Sequence, residues 1–156
     1  MVPIMPCLWF ADRADEAVDF YVSVFPNSRR VADTKYGPGA PLAEGSTLTV
    51  NFELAGAPFM ALNGGPMFQF TPAVSFVVSC ATQEDLDRYW GLLLEGGSAS
   101  QCGWLTDRFG VSWQVVPDRL AELVRELDPA RRGRVMAAML QMVKLDIAEL
   151  EAAADG

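Results

Sequence analysis

The sequence predicts an α+β fold in which a β-α-β-β-β unit occurs twice and is followed by C-terminal helices. Three observations predict it. Runs of alternating apolar residues surround a helical segment, and this order occurs twice along the chain. The helical segment 16–21 resembles segment 84–89, with Glu, Asp and Tyr at matching positions. A further apolar stripe at helical spacing runs through residues 129–153.

In the first unit, residues 3–10 predict a strand that is apolar on both faces. Asp12 suits an N-cap, and apolar residues then recur at helical spacing until Pro26 ends the helix. Residues 29–36 predict a second strand. Two further strands form a hairpin across the turn Ala55–Gly56.

In the second unit, residues 73–80 predict a strand. Thr82 and Asp85 predict a capping box for a helix that reaches Leu94. The glycines after that helix end it, and three short strands complete the unit. These strands are expected near 98–102, at 104–107 and from 111 to 117.

The chain is expected to form a single domain, residues 1–156, because one core is usual below roughly 200 residues. Module 1 covers about 1–66, module 2 about 67–117, and C-terminal helices about 117–153, as one helix over 117–127 and another over 129–153. The apolar stripe of the last helix predicts packing on its own sheet or on a second subunit.

Composition excludes several classes of function. Lysine and arginine number 12 against 20 acidic residues, and a net charge of -8 disfavours nucleic acid and anionic membranes as partners. No apolar stretch reaches the roughly 20 residues of a membrane helix. The N-terminus lacks the basic region with which a signal peptide begins, so a cytoplasmic location is expected. The chain contains no histidine, so histidine-based catalysis is impossible.

Three cysteines, Cys7, Cys80 and Cys102, have neither metal-ligand spacing nor the even number of a disulfide framework. Small buried apolar residues are one interpretation of them. A reactive thiol is the other, with Cys102 the better candidate because Gly103 follows it. Its activation would require an arginine or a helix N-terminus.

Three phrases carry a family resemblance: W-F-A-D-R-A-D-E-A-V-D-F-Y, A-L-N-G-G-P and C-G-W-L-T-D-R-F-G-V-S-W-Q-V-V-P. Together with the order of elements they resemble the PhnB-like branch of the vicinal-oxygen-chelate superfamily, which includes glyoxalase I, bleomycin-resistance proteins, extradiol dioxygenases and fosfomycin-resistance enzymes. The tail from Asp128 to Leu150 is also similar to that branch. The resemblance implies half-barrel modules, and some members carry the label 3-demethylubiquinone-9 3-methyltransferase.

In metal-dependent relatives, histidine and glutamate side chains on the concave face hold one divalent ion. The resemblance carries those positions to Met5, Ala61, Ala73 and Gln114, none of which is a strong ligand. Relatives often have a histidine where this chain has Met67. We therefore expect no metal site of the family kind and no cofactor.

Alternation places Cys7, Trp9, Asn63, Ser75 and Gln114 on the concave faces, with Cys102 and Trp104 near one end of the second half. This set predicts an uncharged aromatic pocket for a small molecule, although the side chains could instead fill a small barrel. The residues identify no catalytic group. The exposed strand edges and the apolar last helix predict a homodimer.

Two other functions remain open. A metal-dependent lyase or dioxygenase of the superfamily would depend on strand carboxylates such as Glu53 and Asp107. The methyltransferase of the family label is physically weaker, because the Gly–Gly pairs at 64–65 and 96–97 lack the G-x-G pattern of nucleotide-type binding loops.

Overall fold

The structure is a computed structural model that describes residues 4–156. The chain divides into two compact units, the first ending at Phe70 and the second beginning at Thr71. Each unit contains one four-stranded sheet. No helix within residues 4–156 has the length and apolar character to cross a membrane.

The first unit has the predicted order of elements. They are β1 (Cys7–Phe10), α1 (Ala14–Val24), β2 (Arg29–Lys35), β3 (Thr47–Leu54) and β4 (Ala57–Asn63). The sheet order is β1-β4-β3-β2, in which β1 lies parallel to β4 and the other pairs are antiparallel. The predicted first strand began at residue 3, which lies outside the described residues.

The second unit repeats this arrangement. Its elements are β5 (Ser75–Cys80), α2 (Gln83–Leu94), β6 (Ser98–Ala99), β7 (Trp104–Thr106) and β8 (Ser112–Pro117). The order β5-β8-β7-β6 matches that of the first sheet strand for strand. The predicted tandem α+β fold is confirmed. β6 is shorter than predicted because residues 100–103 form a turn, and β7 ends one residue earlier than predicted, at Thr106.

One face of each sheet packs against its own helix. In the first unit, Val18 and Tyr21 of α1 are fully buried, and Val50 and Phe52 of β3 lie beneath the helix. In the second unit, Leu86 and Leu93 of α2 take the same role. Burial of each such large side chain stabilises the fold by about 1.5–3 kcal/mol. The opposite face of each sheet does not pack against that helix.

The two helix starts differ. Asp12 is not the N-cap of α1, and that prediction is wrong: Arg13 occupies the cap position and makes no side-chain cap hydrogen bond. The amide of Ala14 instead donates to Oδ1 of Asn63, 2.8 Å away on β4. The N-cap of α2 is Thr82, as predicted, and its hydroxyl accepts from the Asp85 amide.

The predicted single helix over 129–153 is wrong. The structure has α3 (Asp118–Glu126), α4 (Pro129–Met139) and α5 (Ile147–Asp155). Between α4 and α5 the carbonyl groups of Met142 and Val143 accept from the amides of Cys102 and Gly103, both at 2.8 Å. These tertiary hydrogen bonds replace helical ones, and Asp146 then caps α5 by accepting from the Glu149 amide.

The predicted apolar stripe of the last helix is divided by this break. Val135, Leu145 and Leu150 are fully buried in the second unit, and Leu145 contacts Gly103. Met136, Leu140 and Val143 are exposed. The tail therefore packs on its own unit with only part of the stripe.

Candidate functional site

The first sheet has an open face, opposite α1, that is apolar and uncharged at its centre. The register places two rows of residues across this face. One row is Cys7–Met60–Asn51–Ala32, and the other is Trp9–Leu62–Thr49–Thr34. Neither row contains a charged residue, and the next row on this face holds Arg29 and Glu53, which are paired with each other. The centre of the face therefore suits uncharged ligands.

Trp9 is held in a fixed position on this face. Its indole Nε1 donates to the carbonyl of Gly65 at 2.8 Å, and its ring meets Phe68 edge-on at 5.0 Å between centroids. A Cβ on Gly64 would lie 2.3 Å from the Trp9 ring. The A-L-N-G-G-P phrase therefore has a structural explanation, because only glycine allows this close approach of backbone and indole.

Cys7 is the exposed cysteine of the three. Partial burial raises the pKa of its thiol, so at neutral pH the thiol is protonated and uncharged. Burial also raises the pKa of Cys80, to about 11. Neither thiol is activated as a nucleophile.

Asn63 does not lie on the open face, and the register predicted for β4 is wrong by one residue. It pairs with Phe10, is 5% exposed, and faces α1. Its Oδ1 accepts from Ala14 and its Nδ2 donates to the Thr47 carbonyl at 3.0 Å. Ala61, one of the positions carried over for the metal, is fully buried on the same helix-facing side.

Three of the predicted residues, Ser75, Trp104 and Gln114, lie on the open face of the second sheet, opposite α2. Trp104 pairs with Gln114 across β7 and β8. All three residues are partly exposed. The Gln114 Nε2 atom donates to the hydroxyl of Ser75 at 2.9 Å. The face is again uncharged at its centre, and the exposed Val77 pairs with Gln114 there.

Cys102 lies in the turn before β7 and has a left-handed backbone, with a φ of 58°. Its amide donates to Met142 of the tail. The residue is half-buried. The backbone hydrogen bond to Met142 fixes the position of Cys102. That its side chain lines a ligand pocket stays a prediction.

The carboxylates proposed for a metal site have other partners. Glu53 forms a two-point ion pair with Arg29, both contacts at 2.9 Å. Asp107 is buried and accepts from the amides of Phe109 and Val111 and from the indole of Trp113. Trp113 is 3% exposed on the helix side, as its parity predicts.

The donor chemistry of the open faces does not fit the divalent ion of the metal-dependent relatives. Such an ion takes imidazole and carboxylate ligands, whereas the rows offer thiol, thioether, hydroxyl and amide groups. Within residues 4–156, no three His, Cys, Asp or Glu side chains are grouped so that they could hold a metal.

Sequence reasoning missed Asn51. It lies on β3 between Val50 and Phe52, which are buried against α1, so its side chain belongs to the open face. Its Oδ1 atom is buried and has no hydrogen-bond partner in the described part of the chain. The alternation of T-L-T-V-N-F-E-L carried the signal for its face, because it places Asn51 with Thr49 and Glu53, opposite the apolar Val50 and Phe52.

Comparison with known proteins identifies the family. A family model described as 3-demethylubiquinone-9 3-methyltransferase matches residues 3–116. A solved structure described as a putative 3-demethylubiquinone-9 3-methyltransferase, PhnB protein, from Bacillus cereus is 34% identical, with a TM-score of 0.68 over 74% of this chain and 99% of that one. The chain belongs to this PhnB-like family. Its predicted membership of the vicinal-oxygen-chelate superfamily is confirmed.

More distant structures share the fold of the family. Protein PA1353 from Pseudomonas aeruginosa is 22% identical, with a TM-score of 0.62 over 75% of this chain and 98% of that one. The fosfomycin resistance protein FosX from Listeria monocytogenes is 14% identical, with a TM-score of 0.57 over 78% and 94%. No curated protein matches the chain. The family match ends at residue 116, so α3 to α5 lie beyond it.

Proposed function

We propose that this PhnB-like protein binds a small, uncharged, partly aromatic molecule on the open faces of its sheets, without the divalent ion of its metal-dependent relatives. The observation that carries the proposal is the chemistry of the two rows on the first sheet. They combine an indole, apolar side chains and neutral polar groups, and contain no charged residue. Such a lining suits a ligand oriented by one or two hydrogen bonds.

The side chains on the open faces are not the ones that join each sheet to its helix. Trp113 and Asn63 serve the fold from the helix-facing sides. Trp104, Leu62 and Met60 lie on the opposite sides and remain partly exposed. Apolar groups kept partly exposed on a sheet face are typical of binding surfaces.

A thermal-shift screen of uncharged metabolites and drugs tests the proposal. At least one compound should raise the unfolding temperature in a concentration-dependent way, because a ligand that binds only the folded state stabilises it. Leu62→Arg should abolish the shift. The matched control Met136→Arg, on exposed α4, should retain it, and a complete absence of stabilising compounds would contradict the proposal.

A metal-dependent lyase or dioxygenase is the competing function. It would require the carboxylates of Glu53 and Asp107 as metal ligands. Glu53 is paired with Arg29, and Asp107 accepts hydrogen bonds within its own loop. Elemental analysis of protein purified without chelator distinguishes the two functions. We expect well under one equivalent of divalent metal per chain, and a stoichiometric amount would favour the enzyme.

The methyltransferase activity in the family's description would require a site for a methyl donor. The Gly–Gly pairs of the chain are occupied by packing: a Cβ on Gly97 would lie 2.2 Å from the Thr106 carbonyl, and Gly64 lies against Trp9. We expect calorimetry to detect no binding of S-adenosylmethionine. Binding at micromolar concentration would restore this activity as a candidate.

We also propose that the protein forms a homodimer. The outer strands β1 and β2 of the first sheet, and β5 and β6 of the second, have unpaired edges within their own sheets. Light scattering at micromolar concentration should give twice the chain mass of 17.0 kDa. A mass equal to one chain would contradict this.

A further inference from the structure

Two asparagines lie on neighbouring strands of the first sheet and differ in what they do. Asn63 faces α1 and uses both ends of its amide, donating to Thr47 and accepting from Ala14. Asn51 faces the other way, and its Oδ1 is buried without a partner among residues 4–156. The first amide holds the fold together, and the second makes no hydrogen bond that would do so.

A buried carbonyl oxygen without a partner is costly, because it loses its bond to water and gains none in return. A leucine at position 51 would avoid that cost on an apolar sheet face. The Oδ1 atom is covered in the free protein, but the Asn51 residue as a whole is partly exposed. Rotation of the side-chain amide about its Cβ–Cγ bond would turn Oδ1 towards a molecule bound on the open face. The fold does not use this acceptor, so such a rotation breaks no hydrogen bond of Oδ1 within residues 4–156.

The neighbours of Asn51 restrict what that ligand can be. Cys7 and Met60 share its row, and the Cys7 thiol is uncharged at neutral pH. In the next row the hydroxyls of Thr34 and Thr49 bond to each other at 2.6 Å, which uses one of their two O–H donors, and Leu62 and the Trp9 indole complete the row. No carboxylate in either row could balance a cationic ligand.

We propose that Asn51 is the residue that selects the ligand on the first sheet, by accepting a hydrogen bond from an uncharged aromatic molecule that carries one N–H or O–H donor. This inference rests on the proposed function. It adds a specificity: among otherwise similar uncharged ligands, the one with a donor binds more tightly. The aromatic part of the ligand packs against the apolar side chains and Trp9.

Indole and 1-methylindole test this specificity, because they differ in the donor alone apart from one methyl group. Each is titrated into ¹⁵N-labelled protein, with the Trp9 indole N–H, assigned by Trp9→Phe, as the reporter on this face. Indole should bind about three- to tenfold more tightly, the range of one added hydrogen bond. The extra methyl of 1-methylindole works against this result, so the preference cannot arise from apolar contact.

Asn51→Leu should lose the preference for indole, so that 1-methylindole binds at least as tightly, and Asn51→Val is a second variant with the same expectation. The control Gln141→Leu makes the same kind of change at an exposed position of the turn after α4, and should leave the preference intact. The thermal midpoint of Asn51→Leu should rise, because the unpaired acceptor has been removed. A fall in that midpoint would show that Asn51 supports the fold and would overturn the inference.

The outcomes separate this inference from the proposed function. Equal binding of the two compounds to the unmodified protein, or a preference that survives in Asn51→Leu, overturns the role of Asn51 and leaves the binding face in place. If neither compound shifts a resonance on either open face, the inference is overturned together with the face on which it rests.

Discussion

The two units have the same strand order but begin their helices in different ways. In the first unit, the N-terminus of α1 has no cap of its own, and Asn63 of β4 supplies an oxygen from far along the chain. In the second unit, Thr82 caps α2 from the adjacent position. The same requirement, a partner for unsatisfied amides, is met by a distant residue in one unit and a local one in the other.

The hairpins between the last two strands also differ between the units. In the first unit, Ala55 and Gly56 both adopt left-handed backbone, with φ of 48° and 83°, and form a two-residue turn. In the second unit, the longer loop from Asp107 to Val111 is organised around a buried carboxylate. A duplicated topology can therefore be kept while the hydrogen bonds that organise its helix starts and turns differ.

The largest effect is expected at the carboxylate loop. Asp107→Ala removes the acceptor for two amides and for the Trp113 indole, and should lower the free energy of unfolding by about 3 kcal/mol. Asp107→Asn retains one carbonyl oxygen and should cost less. Urea denaturation measures both, and a loss below about 1 kcal/mol for Asp107→Ala would show that the loop does not depend on this group.

The two helix caps should differ in the same experiment. Asn63→Ala removes a buried amide that joins α1, β3 and β4, and should cost about 2 kcal/mol. Thr82→Ala removes one cap at the surface and should cost about 1 kcal/mol. Equal losses would mean that the distant cap is no more important than the local one.

A pH effect is expected from the ion pairs of the first unit. Arg30 contacts Asp15, Asp19 and Asp33 at 2.7–2.9 Å. Burial opposes ionisation of Asp15, but the hydrogen bonds from Arg30 and Thr47 outweigh it and lower its pKa. A lowered pKa stabilises the fold above about pH 4, and this stabilisation is lost as the pH falls through the lowered value.

Arg30→Gln should therefore destabilise the protein by about 1 kcal/mol at pH 7, a modest figure because the pairs are partly exposed. The difference from the unmodified protein should shrink as the pH falls from about 4 through the lowered pKa of Asp15, as measured by urea denaturation across pH. A constant difference at all pH values would indicate that Arg30 acts through packing. Asp87 of the second unit, whose pKa is lowered mainly by Lys144, should respond to Lys144→Gln in the same direction.

The smallest effect is expected in the tail beyond the family match. Gly133 lies within α4, and a Cβ there would meet no atom within 4 Å. Gly133→Ala should raise the free energy of unfolding by about 0.5–1 kcal/mol, because alanine favours the helix. Gly91→Ala on α2 is the matched change in the repeated part, and a destabilisation at position 133 would indicate that α4 lies against a partner.

Particular residues show how far the sequence could be interpreted. The turn Ala55–Gly56 and the cap Thr82 were predictable because their signals lie within a few residues of where they act. The face of Asn63 was not, since a shift of one residue in β4 reverses every side chain and the local pattern alone did not fix it. Asn51 went unnoticed because its isolation depends on what surrounds it in space.

The sequence by itself determined the repeat, the position of most strands and both sheet helices, and the absence of histidine chemistry, because these depend on composition and on short-range periodicity. The tertiary structure alone decided which amide caps α1, where the tail leaves its helix to bond with Cys102 and Gly103, and which face of β4 meets solvent. Those outcomes depend on hydrogen bonds between residues far apart in the chain, whose partners no local pattern specifies.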